Sequence, residues 1–320
     1  MLDPTTTVVI ANPAAGGGQV GRRWADLSAQ LTRALGPVRL LRTERAGHGI
    51  ELARQAVLDG ATDLLSMGGD GTHNEIVNGI MLAGAPAGSV GLGVLPAGTG
   101  GDFRRVLAHA TTLDDALSHL PGATRATIDV GLCQYSDHHG APGQRWFVNI
   151  ASCGISGLVC RIANASSKRL GGKLTFYLST LRAMAAYRAA SVQVLLDGVD
   201  LGVHAITSLQ ACNARFAGGG MMFAPDATLD DGQLDLVILQ DPGVVRTLLM
   251  SDSIYKGAHV RLPHVKVHRG RRIEVRPQGA DRPAWVDIDG EAPGMAPVTF
   301  QVVPGAIGLW DARPDVLSRR

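Results

Sequence analysis

Leu64-Leu65-Ser66-Met67-Gly68-Gly69-Asp70-Gly71-Thr72-His73-Asn74-Glu75 is the stretch on which the reading of this chain turns. A short apolar run meets three glycines set around one carboxylate, and a helical pattern opens at Thr72. A strand that stops at a Gly-rich loop and resumes as a helix is the first half of a βαβ unit. Such loops lie at the carboxyl edge of a parallel sheet, where α/β proteins hold their ligands. Glycines let the backbone close on a polyphosphate without Cβ clashes, and the free N–H groups of a helix start favour an anion. A carboxylate repels bare phosphate, so Asp70 argues for a bridging Mg²⁺ or a hydroxyl donor. The plainer alternative is a strand-to-helix turn with Asp70 as a local cap.

Outward from this loop the βαβ rhythm repeats. Thr7 to Ala11, Val38 to Arg42, Asp63 to Met67 and Val90 to Leu95 read as strands, separated by amphipathic stretches at Arg22 to Leu35, Ile50 to Leu58 and Asn74 to Leu82. In the first of these, Trp24, Leu27, Leu31, Ala34 and Leu35 recur at helical spacing. From about Ala126 the pattern changes to alternating strands. Val192, Val194 and Leu196 enter Asp197-Gly198, and Val199, Leu201 and Val203 leave it, a hairpin with a type I′ turn. Further strands are expected at Leu234 to Leu239, Val265 to Val267, Ile273 to Val275, Trp285 to Ile288 and Val298 to Val302. One helix, Leu174 to Tyr187, interrupts them, with Leu174, Tyr177, Leu178, Leu181, Met184 and Ala185 facing either the core or an apolar substrate.

The chain has 320 residues, enough for about two domains. With 45% hydrophobic and 18% charged residues it is not expected to be disordered. A net charge of +2 excludes the broad positive field of a nucleic-acid-coating protein. The four cysteines form no CxxC pair and read as reduced core thiols. No signal segment or long apolar run is visible, so a cytoplasmic location is expected.

Two other loops end strands of the same sheet. Asn12-Pro13-Ala14-Ala15-Gly16-Gly17-Gly18 follows the first strand, and Pro96-Ala97-Gly98-Thr99-Gly100-Gly101-Asp102-Phe103 follows the fourth. The first is no Walker A loop, because no lysine precedes Lys168, and the same fact excludes the strand lysine of protein kinases. Gly16, Gly18 and Gly21 formally satisfy GxGxxG with Glu44 downstream, but Asn12 to Ala15 intrude between the strand and the first glycine.

Together these segments resemble the catalytic domain shared by diacylglycerol, sphingosine and ceramide kinases and the bacterial lipid kinases related to them. The matching motifs are Asn12 to Gly16, Thr43-Glu44-Arg45-Ala46-Gly47-His48, Gly68 to Glu75 and Pro96 to Phe103. Two more extend the likeness into the second half: Ala224-Pro225-Asp226-Ala227-Thr228-Leu229-Asp230-Asp231-Gly232, and Asp289-Gly290-Glu291. One departure stands out, since Gly101 occupies the place of the family's asparagine.

The resemblance implies an α/β plus all-β fold. An N-terminal doubly wound, Rossmann-like ATP-binding domain is expected over 1–125, with the tail at about 306–320 packing back on it. A C-terminal antiparallel β-sandwich lipid-substrate domain is expected over 126–305, with the active site in the cleft between the two. It implies transfer of the γ-phosphate of ATP, with Mg²⁺, to a hydroxyl of diacylglycerol or a related lipid alcohol. The nucleotide is expected on Asn12, Pro13, Ala14, Ala15, Gly16, Thr43, Gly68, Gly69, Asp70, Gly71, Thr72, His73, Asn74, Glu75, Gly98 and Thr99. Glu291 is expected to take the acceptor proton, with Asp289 and Asp70 orienting metal and phosphate and Arg104 or Arg105 offsetting charge. Asp231 maps as ligand of a structural Mg²⁺, with backbone oxygens from Thr228 and Gln233. The expected partner is a lipid at the membrane surface, met transiently and with help from Arg161, Lys168, Arg169 and Lys173; no nucleic acid is expected, and a homodimer is left open. The rivals are an NAD kinase-like enzyme, which shares the GGDGT loop, and a non-catalytic nucleotide or lipid sensor.

Overall fold

A computed structural model describes residues 2–97, 101–109, 111–165, 172–241, 251–279 and 282–318. The chain forms two compact units, one from Met1–Val130, Thr228–Gly232 and Val303–Arg320, the other from Gly131–Ala227 and Gln233–Val302.

The first unit is built on parallel strands β1 (Thr7–Ala11), β2 (Arg39–Arg42), β3 (Asp63–Gly68) and β4 (Gly91–Pro96), ordered β2-β1-β3-β4. The last part of β16 (Glu291–Trp310) joins in parallel beside β4, with Gly308 opposite Gly91. β1, β3 and β4 are buried along their whole length, as expected when helices cover both faces of a sheet. Helices α1 (Ala15–Arg22), α2 (Trp24–Leu35), α3 (His48–Leu58), α4 (Asp70–Ala83) and α5 (Leu113–His119) supply that cover. In α2 the buried stripe is Leu27, Leu31 and Leu35, at i, i+4, i+8. The C-terminal strand is tied down where the Trp310 indole N–H donates to Asp63 Oδ1 at 2.7 Å.

The second unit is antiparallel. It contains β5 (Arg125–Asp137, which begins in the first unit), β6 (Pro142–Phe147), β7 (Ile150–Gly154), β8 (Ala190–Leu196) and β9 (Val199–Cys212). The short pair β10 (Phe216–Ala217) and β11 (Met221–Met222) follows, then β12 (Leu234–Gln240), β13 (Val265–Gly270), β14 (Arg272–Pro277), β15 (Trp285–Ile288) and the first part of β16. The pairings β9-β7, β7-β15, β15-β16, β16-β14, β14-β8 and β8-β9 form a closed circuit of strands. Inside lies one apolar core that includes Val192, Val194, Ile206, Leu209, Val286, Ile288, Val298 and Phe300. The β8–β9 hairpin turns at Asp197 and Gly198 with φ 50° and 83°, the positive values of a type I′ turn.

Helices α6 (Ile155–Ala165) and α7 (Gly172–Ala186) lie between β7 and β8. In α7, Ser179 and Ala183 are buried, Leu178 and Met184 are half-buried, and Leu181 and Ala185 are exposed, Leu181 by 41%; the side chains of Leu174 and Tyr177 lie outside the described residues. Among the described residues no helix is long and apolar enough to cross a membrane.

Candidate active site

The loops after β1, β3 and β4 are joined by side chains that the sequence presents as ligand-binding residues. Asn12 accepts the Ala14 N–H on its Oδ1 at 2.9 Å, and its amide donates to Thr72 Oγ1 at 3.1 Å, so it links the first loop to the second. Asp70 links the second to the third, its Oδ2 accepting the Asp102 N–H at 2.8 Å and its Oδ1 the Phe103 N–H at 3.0 Å. Glu75 reaches the segment after β2, accepting the N–H groups of Gly47 and Gly49 at 2.8 and 2.9 Å. Two carboxylates thus act as acceptors that hold backbone loops, a use that satisfies polar groups otherwise left without partners.

Local chemistry explains the loop shapes. Gly16, Gly17 and Gly18 all have positive φ, 61°, 67° and 83°, a left-handed turn that side chains resist. At Gly68 a Cβ would run into the Thr72 side chain, so the strand end and the helix start can meet only without one. At Gly69 and Gly71 a Cβ would meet nothing within 4 Å, and the start of α4 carries no side-chain cap. An uncapped helix N-terminus beside open space is suited to an anion. Thr72, His73 and Asn74 are buried. Ser66 Oγ lies 2.6 Å from His73 Nδ1, and burial pulls the imidazole down to about 4 against the opposing charge of Asp70. His73 is therefore neutral near pH 7 and contributes packing, not charge.

Thr43 is buried beside the first loop, its N–H donating to Ala11 O at 2.9 Å. Gly98 and Thr99 lie outside the described residues. Gly101 has φ 152°, and a Cβ there would stand 3.8 Å from Asp70 Oδ1, so at the family's asparagine position the bonds to Asp70 come from the backbone of the next two residues. Asp102, absent from the expected set, is buried and lies 3.5 Å from Arg105 Nε.

The expected cation segment is compact. Thr228 Oγ1 donates to Asp231 Oδ2 at 2.8 Å, and Ser318 N–H donates to Asp230. Asp129, which sequence reading missed, accepts the Gly232 and Gly305 N–H groups at 2.6 and 2.8 Å. Its carboxyl is pushed up by burial and further by Asp231 and Asp230. The visible signal was an acid in an apolar strand, Ile128-Asp129-Val130. Gln233 heads the run 233–302 of the second unit. Among the described residues no group of three or more His, Cys, Asp or Glu side chains is arranged to hold a metal.

In the second unit the Asp289-Gly290-Glu291 turn follows β15. Asp289 and Gly290 have φ 47° and 93°, and Ile288 pairs with Glu291 across the turn. The Asp289 carboxylate accepts three consecutive N–H groups, from Val148, Asn149 and Ile150, at 3.0, 3.2 and 3.0 Å. That geometry pins the turn to the start of β7. Glu291 is exposed at the head of β16. Asp287 Oδ1 accepts the Gly290 N–H at 2.8 Å. Removal from water, and secondarily the charge of Asp289, pushes the Asp287 carboxyl up to about 7. Asp70 belongs to the first unit and Asp289 and Glu291 to the second. Arg161 lies over the Trp285 ring at 4.2 Å, while Lys168 and Arg169 fall outside the described residues.

Residues 6–133 match the family model described as the diacylglycerol kinase catalytic domain, and residues 149–311 match the YegS C-terminal NAD kinase beta sandwich-like domain. A diacylglycerol kinase of Mycobacterium tuberculosis is 31% identical over 258 residues, covering 80% of this chain and 79% of its own. A probable lipid kinase YegS-like protein of Pseudomonas putida is 30% identical over 271 residues, covering 83% of each. A crystal structure of a diacylglycerol kinase from Bacillus anthracis superposes with a TM-score of 0.70 over 98% of both chains at 18% identity, which speaks to the fold. The two family models together span residues of both units, and the chain belongs to the lipid kinase family built from a diacylglycerol kinase catalytic domain and a YegS-type C-terminal domain.

Proposed function

We propose that this protein transfers the γ-phosphate of ATP to a hydroxyl of a lipid alcohol, with diacylglycerol the first acceptor to test. The observation that carries the nucleotide half is the three-loop assembly of the first unit, in which Asn12 and Asp70 tie the loops together around the uncapped, open start of α4. Phosphoryl transfer asks mainly for positioning and charge neutralisation. Asn12 to Gly16, Thr43, Gly68 to Glu75, Gly98 and Thr99 are the proposed nucleotide residues. Arg104 and Arg105 supply positive charge in a half without lysine.

Mg²⁺, when bound, would offset phosphate charge. For the structural cation we propose Asp231 with the backbone oxygens of Thr228 and Gln233. The raised carboxyl of Asp129 beside Asp230 and Asp231 fits an environment that a cation would relieve. In the reaction the acceptor O–H loses its proton to the Glu291 carboxylate. Its oxygen bonds to the γ-phosphorus, the bond from that phosphorus to the bridging oxygen breaks, and ADP leaves.

The test is transfer of labelled γ-phosphate with Mg²⁺ to diacylglycerol, phosphatidylglycerol, sphingosine and NAD, with Asp70→Asn in parallel. Lipid product reduced on the order of tenfold or more in Asp70→Asn supports the reading, because an amide cannot accept both loop N–H groups. NAD product would replace it with the rival kinase. ATP binding without any product would leave a sensor.

We further propose transient contact with anionic membrane through Arg161, Lys168, Arg169 and Lys173, supported by the exposed Leu181 of the neighbouring helix. Vesicles containing phosphatidylglycerol should co-sediment the wild type and lose most of a variant with all four charges reversed. Equal sedimentation would dispose of the contact.

A further inference from the structure

Asp287 has no part in the reaction just described, yet it occupies a demanding place. The alternation Trp285-Val286-Asp287-Ile288 sets it on a strand whose neighbours Val286 and Ile288 are fully buried. Its Oδ1 accepts the Gly290 N–H at 2.8 Å, closing the turn from the strand side while Asp289 anchors it to Val148, Asn149 and Ile150. Its Oδ2 lies 3.5 Å from Ser152 Oγ of β7. That hydroxyl is 2.6 Å from Ser156 Oγ of α6, which is 3.3 Å from Ser208 Oγ of β9, and Gln210 donates to Ser208 at 2.8 Å. One carboxyl is thereby braced against β7 and, through the serines, against α6 and β9, and it passes that bracing to a single peptide N–H.

That N–H belongs to the Asp289–Gly290 peptide, and Glu291 follows one residue later. Asp289 and Gly290, with φ 47° and 93°, form a tight turn that Asp287 closes from the strand side. We propose that Asp287 is a positioning residue for Glu291: by holding the Gly290 N–H it fixes the turn from whose far end Glu291 projects toward the acceptor hydroxyl. The inference rests on Glu291 being the base. An error of about 1 Å in such a group costs on the order of a hundredfold in rate. A carboxamide keeps the accepting oxygen and loses the charge, so asparagine separates the bond from the charge.

The experiment uses the full chain with ATP, Mg²⁺ and dioleoylglycerol in mixed micelles. It compares Asp287→Ala, Asp287→Asn and Glu291→Gln, and reads Gly290 amide hydrogen exchange in each. Asp287→Ala should lower kcat on the order of tenfold to a hundredfold, with KM for ATP within about twofold, and speed Gly290 exchange on the order of tenfold. Asp287→Asn should rescue kcat to within about threefold and restore the slow exchange. Wild-type kcat in Asp287→Ala beside a crippled Glu291→Gln overturns this inference alone. So does an Asp287→Asn protein as slow as the alanine variant, which would make charge the cause. Should the alanine variant fail to fold, the asparagine result still decides. Wild-type turnover in Glu291→Gln overturns the base assignment instead, and the Gly290 exchange rates then report whether the turn is held as described.

Discussion

Glu291→Gln lowers kcat by on the order of a hundredfold or more and leaves KM for ATP within about twofold. Glutamine has the shape of glutamate and still accepts a hydrogen bond from the acceptor hydroxyl, but it cannot take that proton as the new O–P bond forms. General-base catalysis contributes about 10²–10⁴ in rate, so the loss amounts to about 2.7 kcal/mol or more of transition-state stabilisation. Glu291 is exposed at the head of β16, so the change should not disturb packing, and thermal midpoints should agree within about 1 °C. The measurement is steady-state transfer at saturating ATP. Turnover equal to wild type would move the base elsewhere, with Asp70 examined first.

Asp287→Asn stabilises the protein above neutral pH and does little in acid. The native carboxyl lies at about 7, against an ordinary value near 3.9 in the unfolded chain. A group raised in the native state contributes stability that is fully present below the unfolded value and is lost as pH climbs through the native one. The loss here accrues between about pH 4 and pH 7 and is complete above that. About three pH units correspond to at most ~4 kcal/mol, and relaxation around the charge leaves something on the order of 2–4 kcal/mol. Asparagine keeps the bond to Gly290 and cannot ionise, so it escapes this loss. Denaturant unfolding of both proteins at pH 5 and pH 8 checks it: the advantage of the variant should grow by on the order of 2 kcal/mol between them. An advantage equal at both pH values would show that Asp287 carries no such penalty.

Short-range features proved readable. The strand Thr7–Ala11, the loop that turns β3 into α4 and the Asp197-Gly198 hairpin occur where local pattern places them. In each, the deciding forces act within a few residues: alternation, a glycine that must lack a Cβ, a turn that needs positive φ. Features set by distant neighbours were less legible. Helix α6 was not anticipated, and β16, expected only over Val298 to Val302, runs for 20 residues. In α7 the apolar spacing left open whether Leu181 faces the core or a ligand, and it is exposed while Ser179 and Ala183 are buried.

The acids show the same division. The Gly-rich loop marks Asp70, and the family resemblance marks Glu75, Asp289 and Glu291, as residues that ought to matter. Neither tells which of them face a ligand. Asp70 meets backbone 32 and 33 residues away, Glu75 reaches back 28 and 26, and Asp289 closes on residues 139 to 141 positions earlier. Whether a carboxylate binds a substrate or holds a loop depends on which N–H groups the fold brings within 3 Å. Folding alone makes that choice, since an acid and the amides it will accept carry no mutual signal along the chain. The family, the alternation of elements and the place of the Asp289-Gly290 turn were therefore written locally. The bracing that holds that turn, Asp287 against Gly290 and the serines of three elements, exists only once the strands have paired.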